Sequence, residues 1–239
     1  MSNHTNDSPD RPWNVLILGS GKIGRMIAKF LAGTGDYHVR VADRDTACLE
    51  RLKAMTGPSD AILTQTIDAA SPAQLAEAMR GMDAVISALS YRFNPDVAEA
   101  ARAAGLHYFD LTEDVNTTAR VRDVAKSAKP GQVFVPQCGL APGFVSIAAH
   151  HLTQSMDTLD KVFMRVGALP LFPSNALKYN LTWSTDGLIN EYCNPCEAIH
   201  AGQRRMVLPL EGLEHFSLDG VRYEAFNTSG GLGSLCETL

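Results

Sequence analysis

The stretch VLILGSGKIGRMIAKFLA, residues 15–32, most constrains what this chain can fold into. Four apolar residues in a row read as a strand buried on both faces. The turn that follows carries Gly19, Gly21 and Gly24, and over 22–33 Ile23, Met26, Ile27, Phe30 and Leu31 recur at helical spacing. A buried strand that passes through a glycine turn into an amphipathic helix sets up a crossover, and crossovers of this kind build parallel sheets.

The alternation continues. HVRVAD (38–43) reads as a strand, 45–55 as a helix with Leu49 and Leu52 inward, and AILTQTID (61–68) as a third strand. Ser71 with Pro72 and Asn94 with Pro95 each place a capping residue before a first-turn proline, and Gly105 stops the second of these helices. DAVISAL (83–89), HYFDL (107–111) and QVFVPQ (132–137) complete six strands, with a helix over about 114–128. The expected fold is α/β: a Rossmann-type doubly wound parallel sheet over residues 13–139.

After residue 140 the character changes. CGLAPGFVSIAAHHLTQSM reads as a loop feeding a helix. TLDKVFMRVGAL, ALKYNLTWST, RRMVLPL, HFSLDG and VRYEAFNTS read as strands, with helix only over about 186–193. Residues 140–239 are therefore expected to form a second α+β domain with a mostly antiparallel sheet. That domain is expected to be incomplete, because SGGLGSLCETL starts a helical turn that ends with no C-cap or polar tail; a short frayed helix is the alternative. Residues 1–12 are polar, lack an apolar signal core, and read as a disordered lead-in.

Composition narrows the function classes. A net charge of −5 leaves no electrostatic footprint for nucleic acid, and no apolar run approaches a membrane span. Five cysteines, an odd number and mostly in or beside apolar stretches, fit a reducing, cytoplasmic compartment.

In this context the glycine turn is expected to clamp a dinucleotide. Gly19 makes the tight turn, Gly21 lets the backbone approach the pyrophosphate, and Gly24 lets helix and strand pack closely. Ser20, Lys22 and Ile23 sit with them at the helix N-terminus, where N–H donors and the helix dipole favour phosphate. Asp43, at the end of the second strand, is placed to accept hydrogen bonds from the adenosine ribose, which favours NAD. Arg44 beside it is a candidate partner for a 2′-phosphate and keeps NADP open.

Several segments beyond the glycine loop are similar to one family. DAVISALSYRFNPDVAEAARAAGLHYFDLTED, CGLAPGFVSIAAHHL, GALPLFPSNALKYNLTWSTDGLINEYCNP and EAFNTSGGLG, together with the loop, resemble the saccharopine dehydrogenase-like oxidoreductases. The loop is generic to Rossmann folds, whereas GLAPG and NLTWSTDGLINEY are far more specific. The resemblance implies a Rossmann domain, a substrate domain with a mixed sheet, and hydride transfer between a C–N bond and a nicotinamide. It implies a small amino acid or amine such as lysine or saccharopine as substrate, lysine 6-dehydrogenase-like deamination being preferred, and a homodimer. A non-catalytic nicotinamide-binding protein and an NAD-recycling synthase of the homospermidine synthase type remain as alternatives.

Ligands of doubly wound sheets lie at the carboxyl ends of the strands. After strand four, Ser87, Ala88 and Leu89 are expected to line the cofactor and Tyr91 to reach substrate, unless it packs on the next helix. After strand five, Asp110 is the acid/base candidate and Thr112 a cofactor contact, while Asp114 reads as a first-turn helix charge. After strand six, Gly139 is expected near the nicotinamide; Cys138 is a further catalytic candidate, with a small buried residue as its bland reading. In the second domain Tyr179 and Asp186 are catalytic candidates. Lys178 and Trp183 are substrate candidates, Trp183 equally well core of a sheet. Asn227, Thr228 and Ser229 offer donors to a carboxylate, or form a plain turn. Cys193, Cys196 and His200 have passable metal spacing but no second CxxC, and no metal is expected.

Overall fold

The computed structural model describes residues 11–57, 60–167, 169–172, 174–175, 179–181 and 183–239. The chain divides into two compact units, one of Met1–Phe109 with Val121–Val135, the other of Asp110–Arg120 with Pro136–Leu239.

The first unit is built on a six-stranded sheet: β1 (Trp13–Leu18), β2 (Tyr37–Asp43), β3 (Ile62–Thr66), β4 (Ala84–Ser87), β5 (His107–Asp110) and β6 (Phe134–Val135). Its order is β3-β2-β1-β4-β5-β6, with parallel pairing of β1 to β2 and β4, β2 to β3, and β5 to β6. The order runs outward from β1 in both directions, which is the doubly wound topology. Alternate strand residues feed two cores. Leu16, Leu18, Val85 and Tyr108 meet Leu75 and Met79 of α3 (Pro72–Met79), Val97 and Ala101 of α4 (Asn94–Ala104), and Val121 of α5 (Val115–Ala125). Val15, Ile17, Val39 and Val41 meet Ala28 of α1 (Lys22–Thr34) and Leu49 and Leu52 of α2 (Thr46–Thr56). On this second face a cavity of about 420 Å³ remains, lined by Trp13, Tyr37, Ile86, His107, Phe109 and Val133 among others.

Four details depart from the sequence reading. In α1 the residues facing the core are Gly24 and Ala28, with Ile27 and Leu31 beside them. Ile23, Met26 and Phe30 are exposed, because small residues let the helix lie closer to the sheet and rotate its stripe. Asn94 is not an N-cap: it lies inside α4, and its side-chain oxygen accepts a hydrogen bond from Ser87 Oγ at 2.8 Å. The sixth strand shrinks to two residues. His107 packs its ring on Trp13 and accepts a hydrogen bond from the Val133 amide. Arg11 and Pro12, read as part of the lead-in, are ordered: the Arg11 guanidinium makes a two-pronged pair with Asp83, while residues 1–10 lie outside the described residues.

The second unit contains α6 (Phe144–Thr153), α7 (Thr185–Cys193), α8 (Leu235–Thr238) and two antiparallel hairpins. One pairs β7 (Cys196–His200) with β8 (Gln203–Val207), the other β9 (Glu214–Leu218) with β10 (Val221–Ala225). The strands expected over 158–169 and 176–185 do not form among the described residues. Phe163 and Val166 there are exposed, and alternation without a ladder partner or a covering layer does not make a strand. Among the described residues no helix is long and apolar enough to cross a membrane.

Candidate functional site

The glycine loop of the first unit is shaped by contacts of its own. Gly19 adopts φ +100°, a conformation that L side chains rarely hold, and a Cβ there would sit 2.8 Å from the Ala88 carbonyl oxygen. A Cβ on Gly24 would collide with the Gly19 carbonyl oxygen. Gly21 differs: a Cβ there would meet nothing within 4 Å. Two glycines therefore serve the fold, and the third fronts open space at the start of α1, which no side chain caps. Open space before an uncapped helix N-terminus fits a pyrophosphate. Ser90 Oγ, three residues past the carboxyl end of β4, is buried with no hydrogen-bond partner among the described residues.

Asp43 ends β2, where it was expected, and is also tied to the loops around it. Its Oδ2 accepts from the Ser20 amide at 2.6 Å and its Oδ1 from the Asp45 amide at 2.9 Å. The carboxylate thus ties β2 to the glycine loop and to the start of α2, and both oxygens are engaged by backbone. Ser20 is buried, and its hydroxyl donates to the Cys48 carbonyl. Arg44 is exposed beside them. Lys22 and Ile23 lie exposed in the first turn of α1. Ser87 is buried against Asn94, Ala88 and Leu89 lie under Gly19, and Tyr91 is half-buried in a 3-10 turn.

In the second unit the structure assembles a junction around Glu113. Glu113 is 6% exposed, and its Oε1 accepts from Asn190 Nδ2 of α7 at 3.4 Å. A Cβ on Gly187 would run into the Trp183 ring and come within 2.9 Å of Glu113 Oε1. A Cβ on Gly230 would collide with the Glu113 carbonyl. Trp183 Nε1 donates to the Tyr179 hydroxyl at 2.8 Å, so these two candidates form a pair. Ser229 is buried; its amide donates to the Glu191 carbonyl and its hydroxyl to the Pro195 carbonyl. Burial raises the Glu113 carboxyl above its ordinary value, and the nearby Asp114 and Asp110 charges add to this. Burial, then the charge of Glu113, raises Glu191 to about 7. No motif marks Glu191 in sequence; it is one acid within an amphipathic helix, and only the fold sets it beside Glu113.

Asp110 is fully buried, and its Oδ1 accepts from the amides of Thr112 and Gln137, which makes it a clamp on two loops. Thr112 is buried, and its hydroxyl takes the Asp114 amide. Asp114 in turn accepts from the Thr117 amide, the helix-start role expected of it. Cys138 is exposed as a residue, while partial burial of its thiol and then the Asp110 charge raise it above its ordinary value. Gly139 lies against the carbonyls of Pro142 and Leu111 within the GLAPG loop. Asp186 is exposed in the first turn of α7. Asn227 borders Gly212 and ties its backbone to Leu210 and Glu211, and Thr228 is half-buried beside it. Lys178 lies outside the described residues. Cys193 is exposed and Cys196 buried, and among the described residues no three His, Cys, Asp or Glu side chains are grouped to hold a metal.

Two family models match the chain. The one described as saccharopine dehydrogenase NADP binding domain covers residues 15–135, and the one described as saccharopine dehydrogenase C-terminal domain covers residues 139–234. Among curated proteins the chain is 28% identical, over 193 residues, to the NADP(+), L-glutamate-forming saccharopine dehydrogenase of Saccharomyces cerevisiae; the match covers 74% of this chain and 40% of that protein. It is 24% identical to the mitochondrial alpha-aminoadipic semialdehyde synthase of Mus musculus, over 79% of this chain and 20% of that one. The apo structure of the L-Glu-forming saccharopine dehydrogenase of Saccharomyces cerevisiae superposes with a TM-score of 0.65 at 21% identity, covering 91% of this chain and 50% of that one. The chain thus spans half or less of the length of each of these proteins.

Proposed function

Because the chain belongs to the saccharopine dehydrogenase family, we propose that it is an oxidoreductase that prefers NADP and moves hydride at a C–N bond of saccharopine or a related lysine derivative. The observation that carries the cofactor choice is the pair Asp43 and Arg44. Asp43 accepts one amide on each oxygen, from Ser20 and Asp45, and keeps a lone pair on each, so its carboxylate alone does not decide between the cofactors and the choice turns on Arg44. Arg44 stands exposed next to it, and a guanidinium is well matched to a phosphate dianion. A family model described by NADP binding and curated relatives whose names specify NADP(+) support the same choice over the NAD favoured by sequence alone.

In this reading the open front of Gly21 and the N-terminus of α1 hold the pyrophosphate, and Arg44 holds the 2′-phosphate. When bound, the nicotinamide supplies the hydride acceptor. The substrate class comes from the relatives: the two L-glutamate-forming enzymes point to a secondary amine between a lysine side chain and a dicarboxylate, ahead of free lysine. The Tyr179–Trp183 pair offers a flat apolar wall with a fixed hydroxyl for such a substrate.

Titration of the chain with NADPH and NADH, followed by calorimetry, tests the cofactor. NADPH should bind at least about ten-fold more tightly, and Arg44→Ala should remove that advantage while leaving NADH binding in place. Equal affinities, unmoved by the substitution, would overturn the assignment. Incubation with NADP+ and saccharopine, lysine or polyamines, read at the absorbance band of reduced nicotinamide, tests the chemistry. Turnover on saccharopine is expected. Cofactor binding without turnover on any amine would favour a non-catalytic role, and product without net reduced nicotinamide a recycling synthase.

A further inference from the structure

Ser20, between the first two glycines of the loop, joins three elements of the first unit. Its amide donates to Asp43 Oδ2 at 2.6 Å, and its hydroxyl donates to the Cys48 carbonyl at 3.1 Å. These bonds tie it to the end of β2, immediately before Arg44, and to the first turn of α2. Its carbonyl is taken by α1: Arg25 donates to it from Nη1 at 3.2 Å. The Arg25 amide meanwhile donates to the Gly21 carbonyl at 3.1 Å, so the residue stands one turn above the glycine that fronts open space. Side chains on a helix lean toward its N-terminus, and that tilt carries this guanidinium back onto the loop. Arg25 is half-buried, where Lys22 of the same turn is exposed. Among the described residues the guanidinium makes no other hydrogen bond or ion pair, so its remaining N–H groups are unengaged.

Without Arg25 the charges at this end of β2 cancel. Asp45 caps α2 and has Arg51 at 3.7 Å, and Arg51 also donates to the Cys48 sulfur at 2.8 Å. Arg44 is then set against its neighbour Asp43. A ribose 2′-phosphate brings close to two negative charges at neutral pH, and it would meet a corner with no net positive charge. Arg25 supplies the missing cation, in the planar, forked form that matches two phosphate oxygens. The pyrophosphate has its own donors in the first-turn amides of α1, which leaves Arg25 for the additional phosphate.

We propose that Arg25 is a second determinant of cofactor choice: with Arg44 it grips the 2′-phosphate of NADP, and its bond to the Ser20 carbonyl holds the guanidinium ready at the loop. This role presupposes the NADP preference. It gives Asp43 a place in an NADP site, as the acid that ties the loop to β2 while two arginines outweigh its charge.

Calorimetric titration of the intact chain with NADPH and NADH tests this, together with two fragments that differ only in the 2′-phosphate, 2′,5′-ADP and 5′-AMP. Arg25→Gln should weaken NADPH and 2′,5′-ADP about ten-fold while NADH and 5′-AMP stay within about two-fold of the parent. Arg25→Lys keeps the charge without the fork and should fall between. Either arginine without the other only balances Asp43, so Arg25→Gln added to Arg44→Ala should cost NADPH little more. A residue that merely braces the loop would weaken NADPH and NADH alike. That result, or a variant that keeps the parent's preference for NADPH, overturns the role. A parent chain that binds both nucleotides equally removes the NADP preference itself, and this role with it. Should Arg25→Gln not fold, nitrogen NMR of the Arg25 side chain in the parent decides. A signal that moves with 2′,5′-ADP but not with 5′-AMP supports the role, and one that moves equally with both, or with neither, removes it.

Discussion

At the residue scale, the three glycines of the loop have different jobs. Gly24 and Gly19 are demanded by packing: a methyl on Gly24 strikes the Gly19 carbonyl, and Gly19 needs its left-handed φ. Gly21 faces open space with an ordinary negative φ. Gly24→Ala should therefore destabilise the first unit by about 2 kcal/mol through overpacking and lose dinucleotide binding with it. Gly21→Ala should leave the melting temperature nearly unchanged yet weaken NADPH binding sharply, because its methyl occupies the phosphate's approach. Thermal melts alongside NADPH titrations separate the two, and a Gly21→Ala protein that binds normally would remove the ligand role of that position. The loop itself is legible in sequence because its spacing encodes backbone needs. The tie from Asp43 to its own loop was not legible, because it depends on amides 23 positions upstream and two downstream that only the fold brings to the strand end. Glu191 was hidden for a similar reason, since its partner is brought to it only by the fold.

At the scale of elements, the strongly patterned ones were readable and the weakly partnered ones were not. The first five strands and the helices between them follow from apolar runs with caps and stops, since each buries a face on the same sheet. The segments 158–169 and 176–185 alternate in sequence, but alternation records only that a strand would be amphipathic, not that a neighbour exists to complete its ladder. The start of α7 is fixed locally: Ser184 precedes it and accepts from the Gly187 amide at 3.2 Å. Removing that cap costs about 1 kcal/mol, which corresponds to about a five-fold change in opening. Ser184→Ala should speed amide exchange in the first turns of α7 by that factor. NADPH titration of the variant should be unchanged, because the glycine loop belongs to the other unit. Exchange that stays at the parent rate would mean that packing of Gly187 and Trp183 on Glu113, rather than the cap, holds the helix.

At the scale of the whole molecule, the two units carry opposite proton linkages. In the first, Arg11 holds Asp83 below its ordinary value and Arg102 does the same for Glu99. Depressed carboxyls contribute stability above their unfolded values and lose it as pH falls through the folded ones, so this unit is sensitive to acid and indifferent near neutrality. The second unit also has a depressed carboxyl, Glu214 beside Arg165, but adds the raised pair Glu113 and Glu191. Its stability should fall as pH rises from about 5 to about 8, across the window in which the first unit is flat. The chain has two tryptophans, and they report on the units separately: Trp13 lies in the first and Trp183 in the second. Trp13→Phe leaves Trp183 as the reporter of the second unit, and Trp183→Phe leaves Trp13 as the reporter of the first. The Trp183 melt should move to lower temperature between about pH 5 and about pH 8 while the Trp13 melt stays in place, and below about pH 4 both should move down. Two melts that shift together at every pH would show that the units unfold as one cooperative block, and the proton linkage of Glu113 and Glu191 would then be shared by the glycine loop as well.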